Sequence, residues 1–110
     1  MEAPHKAVDF ILANAPKYAK AKSERVYLEE YRRSKKALLM KDALARGIEA
    51  ANAQEREAYA DTEYQELLTG LAAAIEAEET LRWQLEAARM RTDIWRTEQA
   101  NARMEVKATE

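Results

Sequence analysis

From Leu67 to Val106 one spacing repeats: Leu67, Leu71, Ala74, Glu78, Leu81, Leu85, Ala88, Thr92, Trp95, Gln99, Ala102 and Val106 follow one another at steps of three or four. Steps averaging 3.5 residues keep a single stripe of a helix turned toward a partner. The pattern therefore predicts a long helix over residues 62–107 with a coiled-coil-like seam, whose bulk comes from Leu67, Leu71, Leu81, Leu85 and Trp95. Alanines at 74, 88 and 102 let a partner backbone approach closely, whereas Glu78, Thr92 and Gln99 interrupt the seam. Polar residues at such positions cost stability and fix register or oligomer state. Thr62 followed three positions later by Gln65 reads as a capping box at the start of this helix.

Upstream the pattern is more broken. Pro4 suits a first helical turn, and Val8, Ile11 and Leu12 fall on one side with Phe10 beside them, giving a short helix over residues 4–15. Pro16 disfavours helical geometry at Ala15, so a break is expected before a second helix over 17–46 that Gly47 stops. Residues 47–61 are polar and Ala-rich without an apolar face, a connector with room for one or two helical turns. The expected fold is all-α, a single helical domain over 1–110 with a short N-terminal helix plus a long antiparallel helical hairpin. About 30 and about 40 residues make helices of roughly 45 and 60 Å. Leu68, Ile75, Trp83 and Ile94 do not fit the one seam, so a homo-oligomer is expected to cover them.

Composition agrees with helices: 2 Gly and 2 Pro in 110 residues, with 35% charged. Charge changes the picture. The formal net charge is only -2, yet it is +5 over residues 1–46, -8 over 47–81 and +1 over 82–110. On a helical wheel Lys22, Arg25, Arg32, Arg33 and Lys36 share an arc of about 100°, with Lys35 and Lys41 close in sequence. Tyr27, Tyr31, Ser34 and Leu38 occupy another arc.

Two readings of the cationic stripe compete. It is either a solvated face neutralised by the acidic segment 49–79, or a phosphate-binding surface that gains sequence-independent, salt-sensitive affinity by releasing counterions from a nucleic acid. Arg82, Arg89, Arg91 and Arg96 on the third helix would extend that surface or pair with the acidic segment. Tyr27, Tyr31 and Leu38, at four- and seven-residue spacing, look like packed core. Exposed, the two tyrosines would instead suit stacking on unpaired bases.

Catalytic chemistry finds little to draw on. His5 is the single histidine and there is no Cys, so no metal site or cofactor is expected. Neither a phosphate-cradling glycine loop nor a nucleophile–base arrangement occurs, and a non-enzymatic protein is expected. No apolar run is long enough to span a bilayer and the N-terminal stretch has the wrong flanks for a signal peptide, so no membrane role and a cytoplasmic location (that of a host cell for a phage protein) are expected.

The order of parts, a basic helix with YRRSKKALLMKD, an acidic connector AQEREAYADTEYQELL, and a long helix with AEETLRWQLEAARMRTDIW, resembles the small phage recombination mediators of the UvsY type over roughly residues 20–100. The resemblance implies a ring-like helical oligomer that binds single-stranded DNA. It also implies that the protein helps a recombinase replace the single-strand-binding protein. The family's Lys-Ala-Arg-Leu patch has its nearest counterpart in Lys36, Ala37, Leu38 and Leu39, with Leu38 standing where the Arg belongs. Stripe and resemblance together point to Lys22, Arg25, Arg32, Arg33, Lys35, Lys36 and Lys41 as the DNA-binding residues. The alternative is a structural or adaptor coiled coil, a scaffold or an inhibitor of a host protein, whose charges direct helix pairing.

Overall fold

The computed structural model describes residues 4–109, and among them it holds three helices and no strand: α1 (Pro4–Ala45), α2 (Ala51–Ala60) and α3 (Thr62–Thr109). The all-α expectation holds. Two compact units are present, one formed by Lys20–Glu78 and the other by the stretches up to Ala19 and from Glu79 onward. Their boundaries fall inside α1 and α3.

The expected break at Pro16 does not occur. Residues 4–15 and 17–46, anticipated as separate helices, merge into α1 with Pro16 in its interior. An interior proline forfeits one backbone bond and crowds the preceding turn, at about 3 kcal/mol. Two features offset this. Leu12, whose carbonyl loses its donor, is an exposed residue, within reach of water. The shielded positions Ala7, Ile11, Asn14, Tyr18 and Ala21 also keep their three-four step straight through the proline. A break would put that stripe out of phase, and packing of an entire helix face outweighs one lost bond.

Within the unit Lys20–Glu78, α1 and α3 are antiparallel: Arg25 meets Glu78, whereas Lys35, later on α1, meets Glu63, earlier on α3. α3 turns Tyr64, Leu67, Leu71, Ala74 and Glu78 inward there, and in the other unit Leu81, Leu85, Ala88, Thr92 and Trp95. All five bulky residues of the predicted seam thus lie on the shielded face. The seam ends at Trp95, because Gln99, Ala102 and Val106 are exposed. The two residues most fully withdrawn from water are small, Ala43 and Ala58 at 0% exposure, followed by Leu71, Ala88, Tyr64 and Glu78 and then by Ala21 and Ala7. Tyr64 and Leu71 are the only large apolar side chains buried among the described residues.

α1 stops where glycine allows it. Gly47 has φ +98°, its N–H donates to Leu44 O at 3.0 Å, and the N–H of Ile48 donates to Ala43 O at 3.0 Å. This crossed pair of bonds satisfies carbonyls that the helix end would leave open. The expected connector then forms ten residues of helix, α2, rather than one or two turns. It shows no apolar stripe in sequence because a single residue, Ala58, is buried. The side chain of Gln54 anchors its start by donating to Ile48 O at 2.9 Å.

α3 begins as expected, but with a different cap. Asp61, not Thr62, accepts the N–H of Tyr64 on Oδ1 at 3.1 Å, and the Gln65 side chain donates to Tyr59 O at 2.6 Å instead of closing a box. An aspartate at this position also places negative charge at the positive end of the helix.

Candidate nucleic-acid interface

The seven cations singled out on α1 divide into two groups. Arg25 is held by α3: its Nε donates to Glu78 Oε2 at 2.5 Å and its Nη2 to Oε1 at 3.1 Å, while Nη1 reaches Glu29 at 3.1 Å. Glu78 is buried at 6% exposure. The two-pronged bond to Glu78 raises the pKa of Arg25 further above its ordinary value. Lys35 donates to Glu63, which raises its pKa. Lys36 donates to Glu55 of α2 at 2.6 Å and lies 4.8 Å from the centre of the Tyr59 ring. The Glu55 bond raises Lys36 above the usual lysine range and, reciprocally, Lys36 lowers Glu55 below the usual carboxylate range.

Lys22, Arg32, Arg33 and Lys41 form the second group. Lys22, Arg33 and Lys41 are exposed and Arg32 is half-buried. None of the four has a salt bridge to another helix among the described residues; Arg33 makes a 3.5 Å contact with Glu30 on its own helix.

The two faces of α1 are thus exchanged relative to the packed-core expectation for its aromatic side. Tyr27, Tyr31 and Leu38 are 65%, 41% and 60% exposed. The shielded stripe runs instead through Ala21, Arg25, Leu28, Arg32, Lys36, Leu39 and Ala43, again at three-four spacing. Arg25 and Lys36 serve this purpose because their alkyl stems cover apolar surface while their heads reach Glu78 and Glu55. Part of the answer was visible in the sequence: Glu78 occupies a seam position of α3, and a buried carboxylate calls for a cationic partner. Which cation would supply it was not, since that depends on how α1 is rotated against α3.

Tyr27 and Tyr31 stack on each other, with ring centres 6.0 Å apart and planes 11° from parallel. One turn apart on an exposed face, they form a small aromatic platform. Of the α3 arginines expected to extend a basic surface, two pair locally: Arg82 with Glu79 at 2.7 Å, also covering the Trp83 ring, and Arg96 at 4.0 Å from Asp93; Arg89 and Arg91 are exposed.

Other chemistry is scarce. No group of three or more His, Asp or Glu residues among those described is arranged to hold a metal ion. A hollow between Leu39, Asp42, Arg46, Glu57, Ala60 and Asp61 is open and polar, and Arg46 bridges its carboxylates, lying 3.3 Å from Asp42 and 3.8 Å from Glu57. No helix is long and apolar enough to cross a membrane among the described residues.

Fold and surface together define an all-α protein built on helix packing, with charged pairs between its helices and an aromatic platform on its outside. No protein-family model matches the chain, and neither a curated protein nor a solved structure is significantly similar to it.

Proposed function

We propose that this chain is a non-enzymatic, oligomeric helical protein that binds single-stranded DNA through α1 and assists a recombinase in loading onto it. The observation that carries the reading is the exposed, near-parallel pair Tyr27 and Tyr31. Aromatic faces stack on any base, which suits a sequence-tolerant binder of single strands, and each stacked base is worth about 1–3 kcal/mol. Lys22, Arg33 and Lys41, exposed and with no cross-helix partner among the described residues, supply the phosphate contacts, while Arg32 lies in the shielded stripe. Arg25, Lys35 and Lys36, committed to Glu78, Glu63 and Glu55, leave the contact set and hold the helix that presents the rest. The recombinase and the displaced single-strand-binding protein enter from the resemblance to UvsY-type mediators.

Titration of labelled oligo-dT at several salt concentrations tests this. Tyr27→Ala with Tyr31→Ala should weaken binding at least tenfold while leaving the salt slope in place, since each stacked base contributes about 1–3 kcal/mol. Lys22→Ala, Arg33→Ala and Lys41→Ala together should flatten the slope of log K against log salt by about 2, at about 0.7 per lost phosphate contact. Unchanged affinity in both variants removes the DNA reading.

A second reading rests on a different observation. Three of the seven cations already pair α1 with α2 and α3. Charges used this way select helix partners, as expected of a structural or adaptor coiled coil. That reading requires assembly with no oligo-dT affinity even at low salt.

A further inference from the structure

The C-terminal half of α3 carries a second seam, on the side opposite the one that faces α1. Starting at Trp83 and stepping alternately four and three residues, it runs through Ala87, Met90, Ile94, Thr97 and Asn101 to Met104. Its four large side chains, Trp83, Met90, Ile94 and Met104, are each more than half exposed. A continuous three-four step is the spacing of a helix that packs lengthwise against another, and a lone Asn within such a seam lowers stability while narrowing the registers and orientations that fit.

We propose that this seam binds the same seam of a second copy of the chain, antiparallel, with Met90 of one copy facing Asn101 of the other. In that register Trp83 meets Ala108, Ala87 meets Met104 and Ile94 meets Thr97, so every layer sets a large residue against a smaller one. The flanking positions then place Arg91 opposite Glu98 and Glu86 opposite Lys107, each pair occurring twice by symmetry, with no like charges opposed. Sliding one copy by seven residues one way brings Asp93 opposite Asp93 and Arg91 opposite Arg91. Sliding it the other way pairs Thr97 with Asn101 and opposes Glu98 to Glu98. A parallel arrangement would let Asn101 meet Asn101, a pairing that suits two amides. It also sets Asp93 against Glu98 twice, and it stacks Trp83 on Trp83 next to a layer of Ala87 on Ala87, an overfilled layer beside an empty one. Arg91, Glu98 and Lys107 have no salt-bridge partner among the described residues, which leaves them available. The inference deepens the oligomeric part of the proposed function and does not depend on DNA binding.

Sedimentation equilibrium and thiol crosslinking test it on the full chain, which contains no cysteine. The wild type should dimerise or assemble further. Arg91→Glu and Glu98→Arg should each weaken association about tenfold, because each turns two attractions into repulsions, and the double exchange should restore it. Met90→Cys and Asn101→Cys proteins should crosslink when mixed and not separately. A monomeric wild type overturns the proposal. So does self-crosslinking of the Met90→Cys or the Asn101→Cys protein, which is the signature of parallel helices. An Arg91→Glu variant that associates like the wild type overturns the seam while leaving self-association through another surface intact. Circular dichroism of each variant separates loss of association from loss of fold.

Discussion

Gly47 and Gly70 offer a test in which one substitution should act with opposite signs. A Cβ added at either position would meet no atom within 4 Å, so steric crowding is absent from both comparisons. What differs is the backbone. Gly47 sits at φ +98°, where an L side chain costs about 1–2 kcal/mol. The reduced freedom of the unfolded chain returns about 0.4–1 kcal/mol of that, leaving Gly47→Ala destabilised by up to about 1.5 kcal/mol. Gly70 lies within α3 on an exposed surface, where alanine is favoured over glycine by about 0.8–1.0 kcal/mol. The two variants should therefore differ by roughly 1–2.5 kcal/mol. Urea unfolding followed by circular dichroism should place their midpoints on opposite sides of the wild type. The separation should be about 1 M for an m-value of about 1–3 kcal/mol per M. Incorporation of D-alanine at position 47 by peptide ligation should recover the loss and exceed the wild type. If Gly47→Ala is as stable as Gly70→Ala, the crossed hydrogen bonds at Leu44 and Ala43 do not end α1 as described.

The contrast between Leu71, buried at 5% exposure, and Leu38, exposed at 60%, gives a second test. Leu71→Ala should cost about 3 kcal/mol, as deletions in a packed site do, and Leu38→Ala less than about 0.5 kcal/mol; equal thermal shifts would place the wrong face of α1 inward. Stability should also depend on pH through Lys36 and Glu55. The depressed carboxylate contributes stability that is complete above its unfolded value near 4.5 and is lost as pH falls through the lower folded value. The elevated ammonium contributes stability that is complete below 10.5 and is lost as pH rises through the higher folded value. Lys36→Met should flatten both limbs of the urea midpoint against pH, and an unchanged acid limb would show that Glu55 is not held by Lys36.

Periodicity carried most of the fold. The helix from residue 62 and the placement of Leu67, Leu71, Leu81, Leu85 and Trp95 on one face follow from a local repeat, and local repeats are written directly in a sequence. Pro16 and α2 were illegible for a common reason, since each is decided by the sum of contacts along a helix rather than by its own propensity. The face of α1 was illegible for another. Two stripes at three-four spacing coexist on it, one aromatic and one cationic with interspersed alanine and leucine, and hydrophobicity alone selects the aromatic one. Tertiary charge pairing to Glu78, Glu63 and Glu55 selects the other. The same limit governs the candidate site: the seven cations form a cluster in sequence, but which of them remain available depends on partners far along the chain.

Alanines at the most excluded positions give this protein an unusual thermodynamic character. The heat capacity released when a chain unfolds scales with the apolar surface that becomes wet, at about 12–15 cal/mol/K per residue for an ordinary domain. Helices that meet partly through methyl groups and ion pairs hide less of that surface than a core of large side chains, so the increment here is expected toward the low end of that range. A smaller increment makes enthalpy and entropy of unfolding change more slowly with temperature and broadens the stability curve. Calorimetry of the full chain should then show a margin that varies little with temperature, and binding at its uncovered faces would add to it.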